Sequence, residues 1–171
     1  MDGSAGARLW PAAVAPGGRI EFGVSVGRVR VSSDAPVSVL DLTDRVEAFV
    51  RASGLRAGWV NVQTRHTTTG LCVNENEPLL LGDLVALLER LAPRGTGLYA
   101  HDELDRRAFV PPDERPNGHA HAKALLLRTA ETLNVADGRL QLGRWQRVLL
   151  LDCDGPRDRE VSLLAMGERE R

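Results

Sequence analysis

The sequence predicts one folded domain that contains both β-strands and α-helices. The chain has 171 residues, of which 43% are hydrophobic, and this size suits a single sizeable core. Residues 59–65 alternate between apolar and polar side chains, as in a strand, whereas residues 83–92 carry leucines at the spacing of an amphipathic helix that faces the core. Met1–Gly18 is rich in Gly, Ala and Pro, and we predict that it is a disordered extension before a domain at 19–171.

The first half of the domain is predicted to open with a strand and a helix. Residues 20–31 alternate well enough for one strand or a hairpin, with Gly23 and Gly27 as possible bends. Asp44 and Glu47 have the spacing of a capping box, which predicts a helix that begins there. Gly54 is the expected C-cap of this helix.

The last third of the chain reads as sheet. Residues 132–142 surround an Asp-Gly pair, which is the sequence signal of a tight hairpin. Two further strands are expected at 145–152 and 160–166, separated by a turn. Trp145 is interpreted as a core anchor rather than a ligand platform.

His66 directly follows the strand predicted at 59–65. Val60, Val62 and Thr64 share one face, and His66 continues that face, so its ring should point to the covered side of the sheet. A single inward histidine is more often a hydrogen-bonded core residue than a ligand. However, polar clusters at strand ends commonly form functional sites. Such a cluster follows directly, with Thr67, Thr68, Thr69, Glu75 and Glu77.

All four histidines lie between residues 66 and 121, so they can share a site. His101 follows the Pro- and Gly-containing break after the leucine-rich helix. His119 and His121 share a face in an extended segment but point about 200° apart in a helix. The apolar pattern that follows favours a helix beginning near Asn117, so His121 is the predicted site residue and His119 points elsewhere.

Composition restricts the class of partner. Lys and Arg total 22 against 23 Asp and Glu, and this balance provides no electrostatic attraction for nucleic acid or an anionic membrane. No apolar run approaches the roughly 20 residues that cross a bilayer, and no signal-peptide pattern opens the chain. Cys72 and Cys153 lie in apolar surroundings without metal-type spacing. We therefore expect a cytoplasmic protein with reduced, buried thiols and a small-molecule partner.

A series of short polar motifs runs through the chain between residues 19 and 168. They are His66-Thr-Thr-Thr-Gly70, Asn74-Glu75-Asn76, Asp83, His101-Asp102, His121-Ala122-Lys123, the stretch from Gly138 to Gln146, Asp154-Gly-Pro-Arg157 and Gly167-Glu168. In this order they resemble the YjbQ family, a secondary thiamine-phosphate synthase enzyme family. The chain departs from the usual family pattern at Thr69, where alanine is frequent, and at Cys153, where a carboxylate is frequent.

The resemblance implies an α+β fold: a single compact domain with a mixed, strongly curved sheet and flanking helices, assembling as a homotrimer. It also implies a site at or near the subunit interface. There His66, His101 and His121 would be ligands of a divalent ion such as Zn²⁺, or would bind phosphate. His119 is outside the family pattern.

The activity implied by the resemblance is thiamine-phosphate synthesis. The chain is shorter than the roughly 200 to 250 residues of a phosphate-binding (β/α)₈ barrel, and it lacks a glycine-rich phosphate loop. It would therefore carry out this reaction by different means. Glu75 or Asp83 would act as the general base or as an orienting group. The substrate would be bound by four further residues, namely Thr68, Asn76, Lys123 and Arg157.

Two other functions fit the same residues. One is a metal-dependent hydrolase of a small phosphate or ester, in which the histidines bind an ion and Glu75 accepts a proton from its water. The other is a non-catalytic, trimeric ligand-binding protein that holds an anion or a metabolite. Turnover of the ligand would distinguish the enzymes from the binding protein.

Overall fold

Two antiparallel sheets and three helices make up residues 21–95 and 97–169, which are the part of the chain that this computed structural model describes. The α+β class is confirmed. The predicted extension Met1–Gly18 lies outside the described residues. The strands are β1 (Glu21–Ser32), β2 (Ser38–Asp41), β3 (Leu55–Thr64), β4 (Thr69–Asn74), β5 (Ala130–Ala136), β6 (Arg139–Leu140), β7 (Arg147–Asp152) and β8 (Asp158–Arg169). The helices are α1 (Thr43–Ser53), α2 (Pro78–Leu91) and α3 (Gly118–Leu125), with short 3-10 helices at Ala100–Asp102 and Leu104–Arg106.

The strands form two sheets. The larger has the order β1-β8-β3-β5-β6 and the smaller the order β2-β7-β4. The family resemblance implied one mixed sheet, but every strand pair within the described residues is antiparallel. β7 belongs to the smaller sheet and β8 to the larger, so the turn at 153–157 passes from one sheet to the other. Polar residues at this turn therefore lie where the two sheets meet.

The main core lies between the sheets and α1. Val46 and Val50 of α1 and Val60 and Val62 of β3 are fully buried there. Thr64 is also buried, so the alternation predicted for this strand is confirmed. Burial of each such apolar side chain contributes roughly 1.5–3 kcal/mol. The core thus holds β3 in the register that brings its end to the site.

The local turn signals are largely confirmed. Residues 21–32 form one strand rather than a hairpin. Gly54 caps α1 in the left-handed conformation, with φ of 67°. Asp137 and Gly138 both have positive φ in the β5–β6 hairpin.

The capping box predicted for α1 is wrong. The helix begins at Thr43, and the Asp41 carboxylate accepts the Thr43 N–H at 2.8 Å. The carboxylates of Asp44 and Glu47 instead accept from Arg147 at 3.0 Å and from the Leu140 N–H at 3.3 Å. Tertiary partners therefore take both side chains away from the helix terminus.

Two predicted core elements are more exposed than expected. The helix predicted over the leucines is α2, and its Leu88 packs on Leu149 and Leu151 of β7. Leu87 and Leu91 do not belong to this cluster and are 43% and 61% exposed. Trp145 is not a core anchor: it is 60% exposed, and the Arg144 guanidinium lies 4.6 Å from its ring centroid.

Cys72 and Cys153 are both free thiols, half-buried and buried respectively. Burial raises the pKa of Cys153 to about 11, so this thiol stays protonated at neutral pH. Within residues 21–95 and 97–169, no helix has the length and apolar character needed to cross a bilayer.

Candidate functional site

A cavity of about 410 Å³ lies where the end of β3, the segment from His101 to Asn117, α3 and the start of β8 meet. We call it the histidine–arginine cavity. Its walls contain the three histidines of the sequence motifs together with four arginines. The lining residues are Arg65, His66, Thr67, Thr68, His101, Arg107, Pro111, Asp113, Glu114, Asn117, His121, Asp154, Arg157 and Arg159.

His66 is both a hydrogen-bonded structural residue and part of the cavity wall. It is half-buried two residues beyond β3, and its Nε2 accepts the backbone N–H of Glu160 in β8 at 2.9 Å. A neutral imidazole that accepts at Nε2 carries its proton on Nδ1, so Nδ1 is a donor. Burial and the nearby positive charge of Arg159 lower the pKa of His66. His66 is therefore suited to donate a hydrogen bond to a ligand.

His101 and His121 form a close pair in the lining of the same cavity. Their ring centroids are 4.8 Å apart, at 69° between the ring planes. His101 Nε2 is buried and has no hydrogen-bond partner among the described residues. Burial and the neighbouring His101 lower the pKa of His121. The His121 ring can therefore be neutral at pH 7 and exchange a proton with a ligand.

The helix phase predicted for α3 is confirmed. α3 begins after Asn117, and His121 lines the histidine–arginine cavity. His119 points to the other side of the helix, where its Nε2 accepts from Arg94 Nε at 3.0 Å.

A metal centre with three histidine ligands does not fit this chain. Among residues 21–95 and 97–169, no three His, Cys, Asp or Glu side chains are grouped closely enough to hold an ion. His66 Nε2 is engaged by the Glu160 N–H, and His101 and His121 alone would provide only two of the usual three or four protein ligands. The histidines are thus better placed for hydrogen bonding and proton exchange than for metal binding.

Arg159 lines the cavity beside Thr68 and pairs with Asp152. Asp152 is fully buried, and it accepts Arg159 Nη2 at 2.6 Å and Arg159 Nε at 2.8 Å. Burial alone would raise the pKa of Asp152, but hydrogen bonds from Arg159 and Ser33 outweigh it and hold this pKa below its usual value. Arg159 Nη2 also donates to Thr68 Oγ1 at 3.2 Å. Because Thr68 accepts this bond, its own O–H remains available to a ligand.

Two more arginines present buried N–H groups to the cavity. Arg157 Nε lies 3.2 Å from Asp154 Oδ2, and Arg107 Nη1 lies 3.8 Å from Glu114 Oε1. Neither N–H is aligned for a hydrogen bond within the described residues. Both guanidinium groups have a carboxylate within ion-pair distance, and the two N–H groups without an aligned hydrogen bond are donors that an oxygen-rich ligand would satisfy.

Four residues predicted for the site lie outside this cavity in the single chain. Glu75 is half-buried just after β4, and Asn76 Nδ2 donates to Asp41 Oδ2 at 2.9 Å. Asp83 is exposed on α2. Lys123 is fully buried on α3, with its Nζ 2.9 Å from a Glu89 carboxylate oxygen. Thr68 and Arg157, by contrast, line the cavity.

Sequence reasoning missed the Asp152–Arg159 pair and the role of Asp154. Asp154 accepts from Arg115 Nε at 3.0 Å and from Asn117 Nδ2 at 3.2 Å, which ties the residues just before α3 to the β7–β8 turn. A usable signal was present, because an aspartate ends the apolar run of β7. A carboxylate at the end of a buried strand needs a partner, and Arg159 stands at the start of the next strand.

Comparison with known proteins agrees with this architecture. The chain matches the family described as UPF0047 protein YjbQ-like over residues 27–168. It is 44% identical over 130 residues to a UPF0047 protein of Archaeoglobus fulgidus, covering 76% of this chain and 92% of the relative. It is 33% identical over 132 residues to a UPF0047 protein of Methanothermobacter thermautotrophicus, covering 77% and 85%.

Solved structures show the same fold. A YbjQ-like protein from Sulfolobus solfataricus superposes with a TM-score of 0.77 at 28% identity, covering 86% of this chain and all of that one. A hypothetical protein from Aeropyrum pernix gives a TM-score of 0.75 at 35% identity, covering 84% and 99%. Sequence and fold agree, and the chain belongs to the UPF0047 (YjbQ-like) family.

Proposed function

We propose that this protein is an enzyme that acts on a small phosphorylated molecule bound in the histidine–arginine cavity. The observation that carries the proposal is the set of buried N–H groups without hydrogen-bond partners that meet there. Among the described residues they belong to Arg107 and Arg157, each beside a carboxylate but without an aligned hydrogen bond, and His101 Nε2 is a third buried nitrogen there without a hydrogen-bond partner. Phosphate oxygens are strong acceptors for such groups, and guanidinium groups bind them with good geometry.

The neutral groups of the cavity complement these arginines. The Nδ1–H of His66 and the free O–H of Thr68 are two further donors beside the guanidinium groups. Burial lowers the pKa of both His66 and His121, so neither adds a positive charge at neutral pH. His121 can accept a proton there, and His66 can hold a substrate oxygen without transferring one.

Family resemblance identifies thiamine-phosphate synthesis as the first reaction to test, which would make the protein a transferase. In that reaction the thiazole ring nitrogen forms a C–N bond to the methylene carbon of the pyrimidine. The C–O bond to the diphosphate breaks, and the diphosphate leaves with the electron pair. Arg107 and Arg157 line the cavity, and in this proposal they stabilise the negative charge that grows on the leaving group.

Turnover of the two thiamine precursors tests this proposal. Arg157→Gln should lower kcat by about 100-fold or more, because one donor to the developing charge is lost. Arg139→Gln is a matched control, because Arg139 is exposed on the β5–β6 hairpin, away from the cavity lining. Unchanged kcat in Arg157→Gln and in His101→Ala would overturn the assignment.

The two other functions have weaker support. A metal-dependent hydrolase would rely on His101 and His121, which are close enough to share an ion but lack a third protein ligand among the described residues. A non-catalytic binding protein would show tight phosphate binding without turnover of any phosphorylated compound. Wild-type protein assayed with generic phosphoesters, with and without a chelator, separates these two.

We further propose a homotrimer in the cytoplasm. The leucines that α2 leaves exposed include Leu79, at 79%, together with Leu87 and Leu91. An apolar surface of this kind is typical of subunit contacts. Glu75, Asn76 and Asp83 lie near or on α2 and could then reach a neighbouring subunit's cavity, where their predicted roles would apply. Free Cys72 and Cys153 are consistent with a reducing compartment.

A further inference from the structure

His119 lines a second cavity, on the side of α3 away from His121. This cavity has a volume of about 600 Å³, within the range of roughly 300–1,000 Å³ usual for small-molecule sites. Flat apolar side chains form much of its wall, namely Pro36, Tyr99, Pro116 and Pro156. We call it the proline–tyrosine cavity. Nothing in the function proposed above uses it.

Arg94 and His119 are fixed to each other at the wall of this cavity. Arg94 Nε donates to His119 Nε2 at 3.0 Å, and His119 is only 3% exposed. Because Nε2 accepts this bond, the imidazole is neutral. Burial lowers the pKa of His119, and the positive charges of Lys123 and Arg94 lower it further. The imidazole therefore orients the guanidinium and does not compete with it for an anion.

The terminal nitrogens of Arg94 have no carboxylate within ion-pair distance among the described residues. The acids of the same wall have other partners. Asp102 accepts the Gly118 N–H at 2.7 Å, Asp154 accepts from Arg115 at 3.0 Å, and Glu103 pairs with Arg106 at 2.5 Å. Arg115, the other arginine of this wall, is bound to Asp154, so Arg94 is the guanidinium of the wall that has no carboxylate partner among the described residues.

We propose that the proline–tyrosine cavity is a second small-molecule site, which binds an aromatic or heteroaromatic carboxylate. The ring would pack on the prolines and Tyr99, and the carboxylate would accept two hydrogen bonds from the planar guanidinium of Arg94. Among the described residues of this wall, one guanidinium group, that of Arg94, lacks a carboxylate partner, and a single such group suits a single carboxylate better than the higher charge of a phosphate. This proposal is independent of the function proposed for the histidine–arginine cavity.

Nicotinate and its neutral analogue nicotinamide test this site on the full chain by isothermal titration calorimetry. Nicotinate should bind with a Kd of about 1 mM or tighter, as expected for a ligand of its size. Nicotinamide should bind at least about tenfold more weakly, because it lacks the charge that pairs with Arg94. Arg94→Gln should weaken nicotinate binding by a similar factor. Arg94→Lys should have an intermediate effect, because lysine keeps the positive charge but cannot donate two parallel hydrogen bonds to the carboxylate.

Arg90→Gln is the matched control, because Arg90 is exposed on α2 one helical turn before the residues of this cavity. It should bind nicotinate as the wild type does. Three results would overturn the proposal: no nicotinate binding by wild type at about 10 mM, equal affinity in Arg94→Gln, or displacement of nicotinate by inorganic phosphate. Binding of inorganic phosphate that is lost in Arg157→Gln but kept in Arg94→Gln would support two separate sites. If nicotinate binds but inorganic phosphate does not, the result would count against the function proposed for the histidine–arginine cavity and would still support the proline–tyrosine site.

Discussion

Arg159 binds Asp152 through two buried hydrogen bonds, of 2.6 and 2.8 Å, and so joins the start of β8 to the end of β7. The pair connects the two sheets at the point where the histidine–arginine cavity opens. Ser33 Oγ also donates to Asp152, at 2.6 Å, and Thr68 accepts from Arg159. Because both charges are buried and hydrogen-bonded, removal of one leaves the other without compensation.

We predict that Arg159→Met lowers the free energy of unfolding by about 3–5 kcal/mol, as expected when one partner of a buried ion pair is removed. Urea denaturation monitored by circular dichroism measures this change. Arg51→Met is the matched control, because the Arg51–Glu47 pair lies on the surface of α1 and its loss should cost at most about 1 kcal/mol. Similar losses in the two variants would contradict the structural role given to Arg159.

The Asp152 carboxylate should make the free energy of unfolding depend on pH in the acidic range. Its pKa is lower in the folded protein than its usual value of about 3.9, so the folded state binds fewer protons than the unfolded state. The contribution of Asp152 is therefore complete above about pH 5 and is lost as the pH falls through the folded pKa. The difference in unfolding free energy between wild type and Asp152→Asn should be constant from pH 7 to 5 and shrink below about pH 4. A difference that does not change with pH would contradict this prediction.

Three histidines should give the free energy of unfolding a second pH dependence, at higher pH than that of Asp152. The pKa values of His66, His119 and His121 are lowered, in each case first by burial, so the folded state prefers the neutral rings. Stability should therefore fall as the pH drops below about 6.5, where the unfolded chain becomes protonated first. His121→Gln should reduce the slope of unfolding free energy against pH between about pH 7 and 5. An unchanged slope would show that His121 keeps its ordinary pKa.

The exposed leucines of α2 should control assembly. If they form the trimer contact, Leu87→Lys together with Leu91→Lys should convert trimer to monomer, because charged side chains would be buried in the contact. Sedimentation velocity reports the change. Arg90→Lys, on the same helix, is a control that keeps the charge. A wild-type chain that sediments as a monomer would disprove the proposed homotrimer.

Local signals in the sequence determined much of the fold. The alternation of Val60, Val62 and Thr64 placed β3 and its buried face correctly, because strand periodicity depends only on neighbouring residues. Gly54 and the Asp-Gly pair at 137–138 marked a helix end and a hairpin, because those positions need left-handed backbone. Helix phase alone likewise predicted that His121 and His119 point to different sides of α3.

Only the tertiary structure decided what these residues can do. The partner of His66 Nε2 is the N–H of Glu160, 94 positions later in the chain, and that bond makes His66 a donor rather than a metal ligand. Arg159 meets Asp152 because a turn crosses between two sheets. Arg94, which follows α2, meets His119 because α2 and α3 contact each other. Periodicity and turn chemistry are properties of a few adjacent residues, whereas protonation state, donor direction and cavity shape depend on groups that packing brings together from distant parts of the chain.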